Sequence, residues 1–312
     1  MAKVFIDGSA GTTGLRIKER LSAREDINLI VLPEELRKDV SARKEAIFSS
    51  DVSFLCLPDS AAVEAVALAE GSDTVIIDTS TAHRTADGWT YGFPELVGKN
   101  AIKNSKRIAN PGCHASGFAA LVKPLRDAEV IKKDAALTCF SLTGYSGGGK
   151  AMIAEYESVD RSPLLAAPRQ YALGQSHKHL KEMRAVCNLD TPPVFCPVAC
   201  DFYSGMEVTV SLFAKDISGG IDDVRKVYAD FYRGQGAVKI CEKSDESGFL
   251  SAAAFSGRDD MEISVYGNDD RIILVSRFDN LGKGASGSAI QNMNILLGAD
   301  EFEGLSIQGD TE

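Results

Sequence analysis

A cysteine and a histidine stand side by side after a turn signal, in the segment NPGCHASGF. Pro111 and Gly112 favour a turn, and the apolar residues after the cysteine recur at helical intervals up to Pro124. Cys113 is therefore predicted at or near the start of a helix, where aligned N–H groups and the helix dipole favour the thiolate over the thiol. Three interpretations of Cys113 are open at this point: a nucleophile, a metal ligand, or a small apolar residue of a core.

Four histidines are available to act with a thiolate, which usually needs a base within hydrogen-bond reach. His177 and His179 lie two positions apart in the polar segment GQSHKHLKEM, where an extended or turn conformation points both side chains the same way. His114 would point elsewhere on a helix and is interpreted as structural. His83 follows the strand-like run DTVIIDTST, where the crevice of an open parallel sheet collects ligands.

A zinc site made of His177, His179, Cys196 and Cys200 is not favoured. The spacings H-K-H and C-P-V-A-C match no standard zinc finger, and both cysteines lie in strand-like surroundings. We therefore predict no metal site. Seven cysteines without paired short spacings indicate free thiols rather than a disulfide framework.

A glycine-rich loop follows the first apolar run and precedes an amphipathic helix. The G-x-x-G-x-x-G spacing allows a tight turn and the close approach of a pyrophosphate, whose charge then lies at the helix N-terminus. A plain turn between strand and helix is the alternative, but this context is the one that a dinucleotide site requires. The residues predicted to bind the cofactor here are Gly8, Gly11, Thr12, Thr13 and Gly14.

The second strand-like run ends in LPEELRKDV, where the ribose of a dinucleotide would lie. Glu34 or Glu35 would accept from a free 2'-hydroxyl and favour NAD, whereas Arg37 and Lys38 would hold a 2'-phosphate and favour NADP. The two adjacent cations lead us to predict NADP(H). A solvated run of charges is the alternative for any one of these residues.

The elements that position these residues change character along the chain. Strand-like runs alternate with helices over residues 1–112, which predicts an α/β unit with a Rossmann-like, doubly wound parallel sheet. Residues 113–280 carry the strand-like runs ALTCFSLTG, PVFCPVACDFYSGMEVTVSLFA and DDRIILVSRFDN, which predict an α+β domain with a mainly antiparallel sheet. The segment 281–312 reads as a small-residue loop and a helix that returns to complete the first domain.

Composition excludes several classes of protein. The chain has 312 residues, 44% of them apolar and 25% charged, as in an ordinary soluble globular protein of about two domains. It shows neither an apolar run of about 18 residues nor a signal-peptide pattern, so we expect no membrane partner and a cytoplasmic location. The net charge of -10 argues against nucleic acid as a partner, and an anionic ligand must be met by local cations.

A cysteine at a helix start, a distant histidine and a dinucleotide fold together describe a redox reaction with acyl transfer. At these residues the sequence resembles the N-acetyl-gamma-glutamyl-phosphate reductases of arginine biosynthesis, in the shorter of their two types (type 2). That family is related to the aspartate-semialdehyde dehydrogenases. The resemblance runs over essentially the whole chain, in GTTGLRI, ELRKD, FLCLPDSAAVEAV, DTSTAHR, YGFPEL, NPGC, GYSGGGK, HKHLKEM and DNLGKGASGSAIQNMN.

The resemblance implies an NADPH-dependent reduction of N-acetyl-L-glutamyl 5-phosphate to N-acetyl-L-glutamate 5-semialdehyde, with release of phosphate, through a cysteine thioester. The nucleophile of the family corresponds to Cys113, and its histidine base corresponds to the HKH segment, with His177 favoured over His179. A homotetramer is also implied, with residues 113–280 as the catalytic and oligomerisation domain. The segment HLKEM departs from the family, where a proline is expected before Glu182, although Glu182 itself matches.

The substrate implied in this way is an anion, so cations must hold it. By position in the motifs, Arg84 is predicted to bind the phosphate, with Lys150 after SGGG as a second candidate. His179 and Glu182 are predicted to contact the substrate. The glycines of GYSGGGK offer backbone N–H groups as an anion nest.

The last helix-like segment carries two amides, Gln291 and Asn292, that are predicted to approach the nicotinamide carboxamide. Met293 and Ile295 in the same segment are interpreted as core residues.

Two alternatives to the predicted function stay open. One is another acyl-phosphate reaction, such as that of an aspartate-semialdehyde dehydrogenase. The other is a nucleotide sensor without catalysis, against which the retained reactive residues argue.

Overall fold

The computed structural model describes residues 1–308, so the last four residues of the predicted segment 281–312 lie outside the described residues. The chain divides into two compact units. Unit 1 consists of residues 1–112 and 285–305, and unit 2 consists of residues 113–284 together with the segment that begins at Ser306. The glycine motif that is predicted to bind the cofactor therefore lies in unit 1, and the cysteine and the HKH segment lie in unit 2.

Unit 1 is built on a six-stranded sheet in which every strand pair is parallel. The spatial order is β2-β1-β3-β4-β6-β5. The parallel, doubly wound sheet that the sequence predicts is confirmed. The strands are β1 (Ala2–Asp7), β2 (Ile27–Ile30), β3 (Val52–Leu55), β4 (Val75–Asp78), β5 (Thr90–Tyr91) and β6 (Arg107–Ala109).

Helices cover both faces of this sheet. Successive residues of β1 point to opposite faces, so that Val4 and Ile6 pack with Ile17, whereas Phe5 packs with Ile47. The strands are consequently buried on both sides, as parallel sheets require. The helices before residue 112 are α1 (Thr12–Ser22), α2 (Val40–Phe48), α3 (Asp59–Leu68), α4 (Pro94–Val97) and α5 (Lys99–Lys103).

Unit 2 contains a seven-stranded sheet in the order β11-β12-β13-β10-β7-β9-β8. The pairs β11 with β12 and β7 with β9 are parallel, and the other pairs are antiparallel. This confirms the mainly antiparallel sheet. The strands are β7 (Thr138–Gly144), β8 (Arg169–Gln170), β9 (Val194–Cys200), β10 (Met206–Phe213), β11 (Val238–Ile240), β12 (Met261–Gly267) and β13 (Arg271–Phe278).

Helix α6 (Cys113–Asp127) lies directly against this sheet. A Cβ atom at Gly117 would stand 2.5 Å from Val208 Cγ2 and 2.8 Å from Phe278 Cε1, so only glycine permits this approach. The sequence predicts helical spacing up to Pro124, but α6 continues past that proline to Asp127. Proline removes the N–H that would bond the carbonyl of Ala120, and the Tyr232 hydroxyl donates to that carbonyl at 2.7 Å instead.

The remaining helices complete the two units. Unit 2 also holds α7 (Gly149–Glu157), α8 (His179–Val186) and α9 (Ile221–Phe231), and unit 1 holds α10 (Gly287–Leu297). Met293 and Ile295 of α10 are buried in the core that contains β1 and α1, which confirms their interpretation as core residues. No helix among residues 1–308 is both long and apolar enough to cross a membrane.

Candidate active site

Cys113 is the first residue of α6, as the sequence predicts. Its side chain is half-buried, and within residues 1–308 neither Cys113 nor any other cysteine forms a disulfide bond. Gly284 lies beside it, because a Cβ atom at Gly284 would stand 2.9 Å from the Cys113 Cβ. The helix start therefore provides the N–H groups and dipole that favour a thiolate, with glycine backbone against the side of the cysteine.

Three histidines of unit 2 form one cluster at this helix start, where His114 is the second residue of α6. The ring of His114 lies 6.1 Å from that of His177 and 5.5 Å from that of His179, between centroids. His177 and His179 are 4.7 Å apart, so both histidines of the HKH segment do point into the same region. Tyr171 and Phe195 complete the cluster, with ring centroids 6.1 Å and 5.2 Å from His114.

His114 is buried and hydrogen-bonded through both ring nitrogens. Its Nδ1 lies 2.7 Å from the Ser141 hydroxyl oxygen, and its Nε2 lies 2.7 Å from the Tyr171 hydroxyl oxygen. Burial, and to a smaller extent the charge of His177, lower the pKa of His114 to about 3. His114 is therefore neutral at ordinary pH and does not serve as the proton-accepting partner of Cys113.

His177 stands in the loop before α8 and is only half-buried. The backbone N–H of His179 donates to its Nδ1 at 3.2 Å. Because Nδ1 accepts in this bond, the proton of a neutral His177 is on Nε2. The imidazole is thus arranged to donate a proton or a hydrogen bond through Nε2.

Tyr171 is a member of the site that the sequence patterns did not reveal. Burial raises the pKa of its hydroxyl well above the usual range, and the charge of Cys113 raises it further. The phenol is therefore protonated, and it lies close enough to Cys113 to feel the charge of the thiolate. The available signal was its place six positions before His177 in the same segment, between a short strand and a helix.

The predicted substrate ligands of unit 2 differ in exposure. His179 and Glu182 are 6% and 2% exposed on α8, so both belong to the interior side of that helix. Lys150 is exposed in the first turn of α7. The glycine segment before it forms a 3-10 turn at Tyr145–Gly148 that leads directly into α7. Lys150 and the backbone of this turn are accessible to an anion.

Arg84 of unit 1 lies beyond the carboxyl end of β4. Its Nε donates to the carbonyl of Asn110 at 3.0 Å, and its Nη2 donates to the carbonyl of Thr79 at 3.1 Å. These bonds fix the guanidinium beside the ends of β4 and β6. A position at the carboxyl ends of parallel strands is the place where such sheets bind ligands.

His83, the histidine of unit 1, shares this edge. His83 Nδ1 lies 2.6 Å from Asp78 Oδ2, and its ring stacks on Trp89 with centroids 4.1 Å apart. Ser80 binds the same carboxylate through its N–H and its hydroxyl. His83 is thus oriented by Asp78, a buried residue at the last position of β4.

The glycine loop has the geometry of a tight turn between strand and helix. Gly8 has φ of +86°, and a Cβ atom there would stand 2.2 Å from the carbonyl oxygen of Cys56. Gly14 approaches Gly8 closely enough to exclude a Cβ as well. Helix α1 begins at Thr12 with Gly11 as its N-cap, and no side chain caps its first N–H groups. These N–H groups suit a phosphate.

The predicted ribose region lies after β2. Glu34 and Glu35 belong to a 3-10 turn, and both are exposed. Arg37 is half-buried, and its Nε is buried without a hydrogen-bond partner among residues 1–308. Lys38 is exposed beside it. A buried cationic N–H without an acceptor fits an anion that binds here.

Gln291 and Asn292 are buried in unit 1. Gln291 Nε2 donates to Glu95 at 2.7 Å and to Glu301 at 2.9 Å. Asn292 Nδ2 donates to the carbonyl of Gly92 at 2.9 Å, and its Oδ1 is buried without a hydrogen-bond partner in the described part of the chain. Gln291 is therefore engaged with carboxylates, whereas Asn292 retains an acceptor. Their contact with nicotinamide stays a prediction.

Metal ligands are not grouped in the described structure. Within residues 1–308, no set of three or more His, Cys, Asp or Glu side chains is arranged to hold a metal ion. Of the residues that the sequence singles out in unit 2, the three histidines are brought together, and Tyr171, which the sequence did not single out, joins them close to Cys113. That combination is suited to nucleophilic and proton-transfer chemistry.

Comparison with known families assigns both parts of the chain. Residues 3–105 match the family model described as semialdehyde dehydrogenase, NAD binding domain. Residues 113–280 match the model described as semialdehyde dehydrogenase, dimerisation domain. The second match begins at Cys113, the residue that opens α6.

Solved structures with the same fold are aspartate semialdehyde dehydrogenases. The enzyme II of Vibrio cholerae, complexed with ASA, aligns with a TM-score of 0.70 at 18% identity over 95% of this chain and 98% of that chain. The enzyme of Candida albicans with NADP aligns with a TM-score of 0.66 at 16% identity, with the same coverage. At these identities the likeness establishes the fold.

Closer relatives define the family. N-acetyl-gamma-glutamyl-phosphate reductase 2 of Nostoc sp. is 42% identical over 97% of this chain and 99% of the relative. The N-acetyl-gamma-glutamyl-phosphate reductases of Sinorhizobium medicae and Brucella anthropi are 42% and 43% identical over 95% of this chain. The chain therefore belongs to the N-acetyl-gamma-glutamyl-phosphate reductase family.

Proposed function

We propose that this chain catalyses the NADPH-dependent reduction of N-acetyl-L-glutamyl 5-phosphate to N-acetyl-L-glutamate 5-semialdehyde and phosphate, a step of arginine biosynthesis. The observation that carries the proposal is the position of Cys113 at the start of α6, with Tyr171 and the histidine cluster of unit 2 beside it. Membership of the family supplies the identity of the substrate.

In the first half of the reaction, the Cys113 thiolate attacks the acyl carbon, and phosphate leaves with the electron pair of the broken C–O bond. The product is a thioester on Cys113. The Nε2–H of His177 is suited to stabilise the oxyanion of the tetrahedral intermediate by donating a hydrogen bond. His114 takes no part in proton transfer, because it is neutral and bonded through both nitrogens.

In the second half, the thioester carbon accepts a hydride, which is the chemistry that NADPH supplies when it is bound. The resulting thiohemiacetal collapses to the aldehyde and regenerates the Cys113 thiolate. His177 again acts on the oxygen of this intermediate: it gives its Nε2 proton to the alkoxide and takes the same proton back as the C–S bond breaks and the aldehyde forms. We assign His177 rather than His179 to this role because His177 is the less buried of the two.

The cofactor preference that we propose is NADPH over NADH. The α1 N-terminus, without a capping side chain, is suited to the pyrophosphate, together with Gly11, Thr12 and Thr13. Arg37, whose Nε is buried without a partner in the described chain, would hold the 2'-phosphate together with Lys38. The exposed Glu34 and Glu35 are left to solvent.

For the substrate, we propose Arg84 as the phosphate ligand and Lys150 as a second cation. The support for Arg84 is its fixed position at the carboxyl ends of β4 and β6. The support for Lys150 is its exposure above the glycine turn that precedes α7. His179 and Glu182 are proposed to shape the substrate side of α8 from its buried face.

We further propose that unit 1 is the NADP-binding domain and that unit 2 is the catalytic and oligomerisation domain of a homotetramer. Unit 2 matches a dimerisation-domain family model. The face of its sheet opposite α6 exposes four large apolar side chains, which would be covered by a second copy of the chain. They are Phe140, Val194, Phe213 and Ile273. Seven cysteines that form no disulfide bond within residues 1–308 favour the cytoplasm as the compartment.

The test is a steady-state assay of the purified protein in the reverse direction, with phosphate, NADP and each of two aldehydes. We expect reduction of NADP with N-acetylglutamate 5-semialdehyde and at least about 100-fold lower kcat/KM with aspartate semialdehyde, because the sites are built for different substrate lengths. Cys113→Ala is expected to abolish turnover while retaining NADPH affinity. Cys241→Ser, also half-buried in unit 2, is the matched control.

Three results would overturn the proposal. Higher activity with aspartate semialdehyde would assign the chain to the related reaction. NADPH binding without turnover of either aldehyde would indicate a nucleotide sensor. Appreciable turnover by Cys113→Ala would remove Cys113 as the nucleophile.

A further inference from the structure

Two hydroxyl groups hold the imidazole of His114 from opposite sides. Ser141 contacts Nδ1, and Tyr171 contacts Nε2, each at 2.7 Å. A neutral imidazole has one donor and one acceptor nitrogen. One hydroxyl must therefore donate to the ring and the other must accept from it, so the state of Ser141 determines the direction of the Tyr171 hydroxyl.

The surroundings of Ser141 decide which tautomer is present. Ser141 is fully buried in β7, and among residues 1–308 its hydroxyl has His114 as its side-chain hydrogen-bond partner. If Nδ1 carried the proton, the Ser141 hydroxyl would be left as a buried donor without an acceptor, which is costly. Ser141 therefore donates to Nδ1, and the Nε2–H of His114 donates to the oxygen of Tyr171.

In this arrangement the oxygen of Tyr171 accepts from His114, so its own proton is available to a further acceptor. In the opposite tautomer the phenolic proton would be bound to Nε2, and the Tyr171 oxygen would have only lone pairs to offer another group. Burial raises the pKa of Tyr171, and the charge of a Cys113 thiolate raises it further, so this charge acts on a hydroxyl that is held 2.7 Å from the ring of the neighbouring residue His114. A donated proton stabilises such a charge, and a lone pair destabilises it.

We propose that His114 is a positioning residue for the reaction at Cys113: fixed in one neutral tautomer by Ser141, it directs the proton of the Tyr171 hydroxyl toward the negative charge that develops at Cys113. The proposal deepens the proposed function of the same site and rests on it for the catalytic readout. It assigns roles to His114, Ser141 and Tyr171, three residues that none of the comparisons describes.

The other side chains packed around His114 contact its ring but do not take over the orientation of the Tyr171 hydroxyl. The rings of His177 and His179 approach it from the α8 side, and Phe195 approaches it from β9. The hydrogen bonds that the structure gives to the two ring nitrogens of His114 come from Ser141 and Tyr171. The neutral state of His114 makes its positioning role independent of pH in the working range.

The experiment measures the pH dependence of Cys113 alkylation by iodoacetamide, with Cys113 followed by peptide mass spectrometry among the seven cysteines. Tyr171→Phe and His114→Phe are each expected to raise the alkylation midpoint by about one pH unit and to lower kcat by about tenfold, as the loss of one hydrogen bond to a charge implies. Ser141→Ala should give a smaller shift in the same direction, because without the Ser141 hydroxyl neither neutral tautomer of His114 is selected.

Two further variants separate positioning from packing. His114→Gln keeps an amide N–H near the place of Nε2 and is expected to restore most of the wild-type midpoint. Phe195→Leu disturbs the packing against the His114 ring without changing a hydrogen bond, and it should leave the midpoint unchanged. Circular dichroism verifies that each variant is folded.

A double-mutant cycle gives the decisive comparison. If His114 acts through Tyr171, adding His114→Phe to Tyr171→Phe produces no further shift. An equal shift in both backgrounds, or no shift in His114→Phe alone, would overturn the inference. The alkylation readout needs no substrate, so a protein that shows the coupling but reduces no acyl phosphate would contradict the proposed function and leave this inference standing.

Discussion

Arg43 donates from its Nε to Oδ2 of Asp7 across 3.0 Å, in the interior of unit 1 and immediately before the glycine loop. Asp7 is the last residue of β1, and Arg43 belongs to α2. Arg43 also reaches Glu64 at 3.1 Å. Burial raises the pKa of Asp7, and the bonds with Arg43 lower it in part. This ion pair lies at the strand end from which the glycine loop departs.

Removing one partner of that pair is expected to be costly. Arg43→Met leaves a buried carboxylate without its cation, so the free energy of unfolding at pH 7 should fall by about 3 kcal/mol. Without Arg43 the pKa of Asp7 rises further, and the folded state then binds a proton more tightly than the unfolded state. The deficit should therefore shrink as the pH is lowered from about 7 to 5.

Urea denaturation at several pH values measures this effect. Lys44→Met, at the exposed neighbouring position, is the matched control and should change stability by less than about 0.5 kcal/mol. If the loss of unfolding free energy in Arg43→Met is the same at about pH 7 and about pH 5, Asp7 is not the cause of that loss.

The cation pair after β2 is expected to set cofactor preference. The double variant Arg37→Ala, Lys38→Ala should raise KM for NADPH by at least about tenfold, because charge-assisted bonds to a phosphate are lost, and should change KM for NADH by less than about twofold. Steady-state kinetics with both cofactors measures this, with Glu34→Gln as a neighbouring control. Equal losses for the two cofactors would exclude these residues from the 2'-phosphate site.

Substitutions of the two histidines of the HKH segment should affect different kinetic constants. His177→Asn is expected to lower kcat by about 100-fold or more with a modest change in KM, as for loss of a general acid or base. His179→Asn, at a buried position on α8, should act mainly on KM. A reversed pattern would transfer the proton-transfer role to His179.

His114 is expected to make the fold sensitive to acid. Its pKa is about 3 in the folded protein against an unperturbed value of 6.5. Between these values the unfolded state binds the additional proton, so stability rises with pH in this window and is lost as the pH falls through it. The slope amounts to about 1 kcal/mol per pH unit below pH 6.

Chemical denaturation between pH 4 and pH 8, in steps of about one unit, compares the wild type with His114→Gln. The variant cannot be protonated at this position, so its stability should fall less steeply on acidification. Parallel curves for the two proteins would mean that His114 does not carry the acid sensitivity.

Local patterns were sufficient for the parallel sheet and for the start of α6. The βαβ alternation, the glycine spacing and the turn at Pro111 and Gly112 depend on neighbours in the chain, and these determine where strands and helices begin. The end of α6 was not accessible in this way. Where α6 continues past Pro124, the carbonyl of Ala120 accepts a hydrogen bond from the hydroxyl of Tyr232, a residue far away in the chain.

The sequence by itself determined the two kinds of sheet and the candidate Cys113, because periodicity and turn signals are local properties. The motifs that it shares with a known family indicated the family and pointed to His177. Only the tertiary structure decided which side chains of the site are hydrogen-bonded to one another. Ser141 reaches His114 because β7 turns that side chain toward α6, and Tyr171 reaches it from a separate segment. The neutral state of His114 follows from burial. Burial and hydrogen-bond partners are set by the packing of distant segments, which no single stretch of sequence encodes.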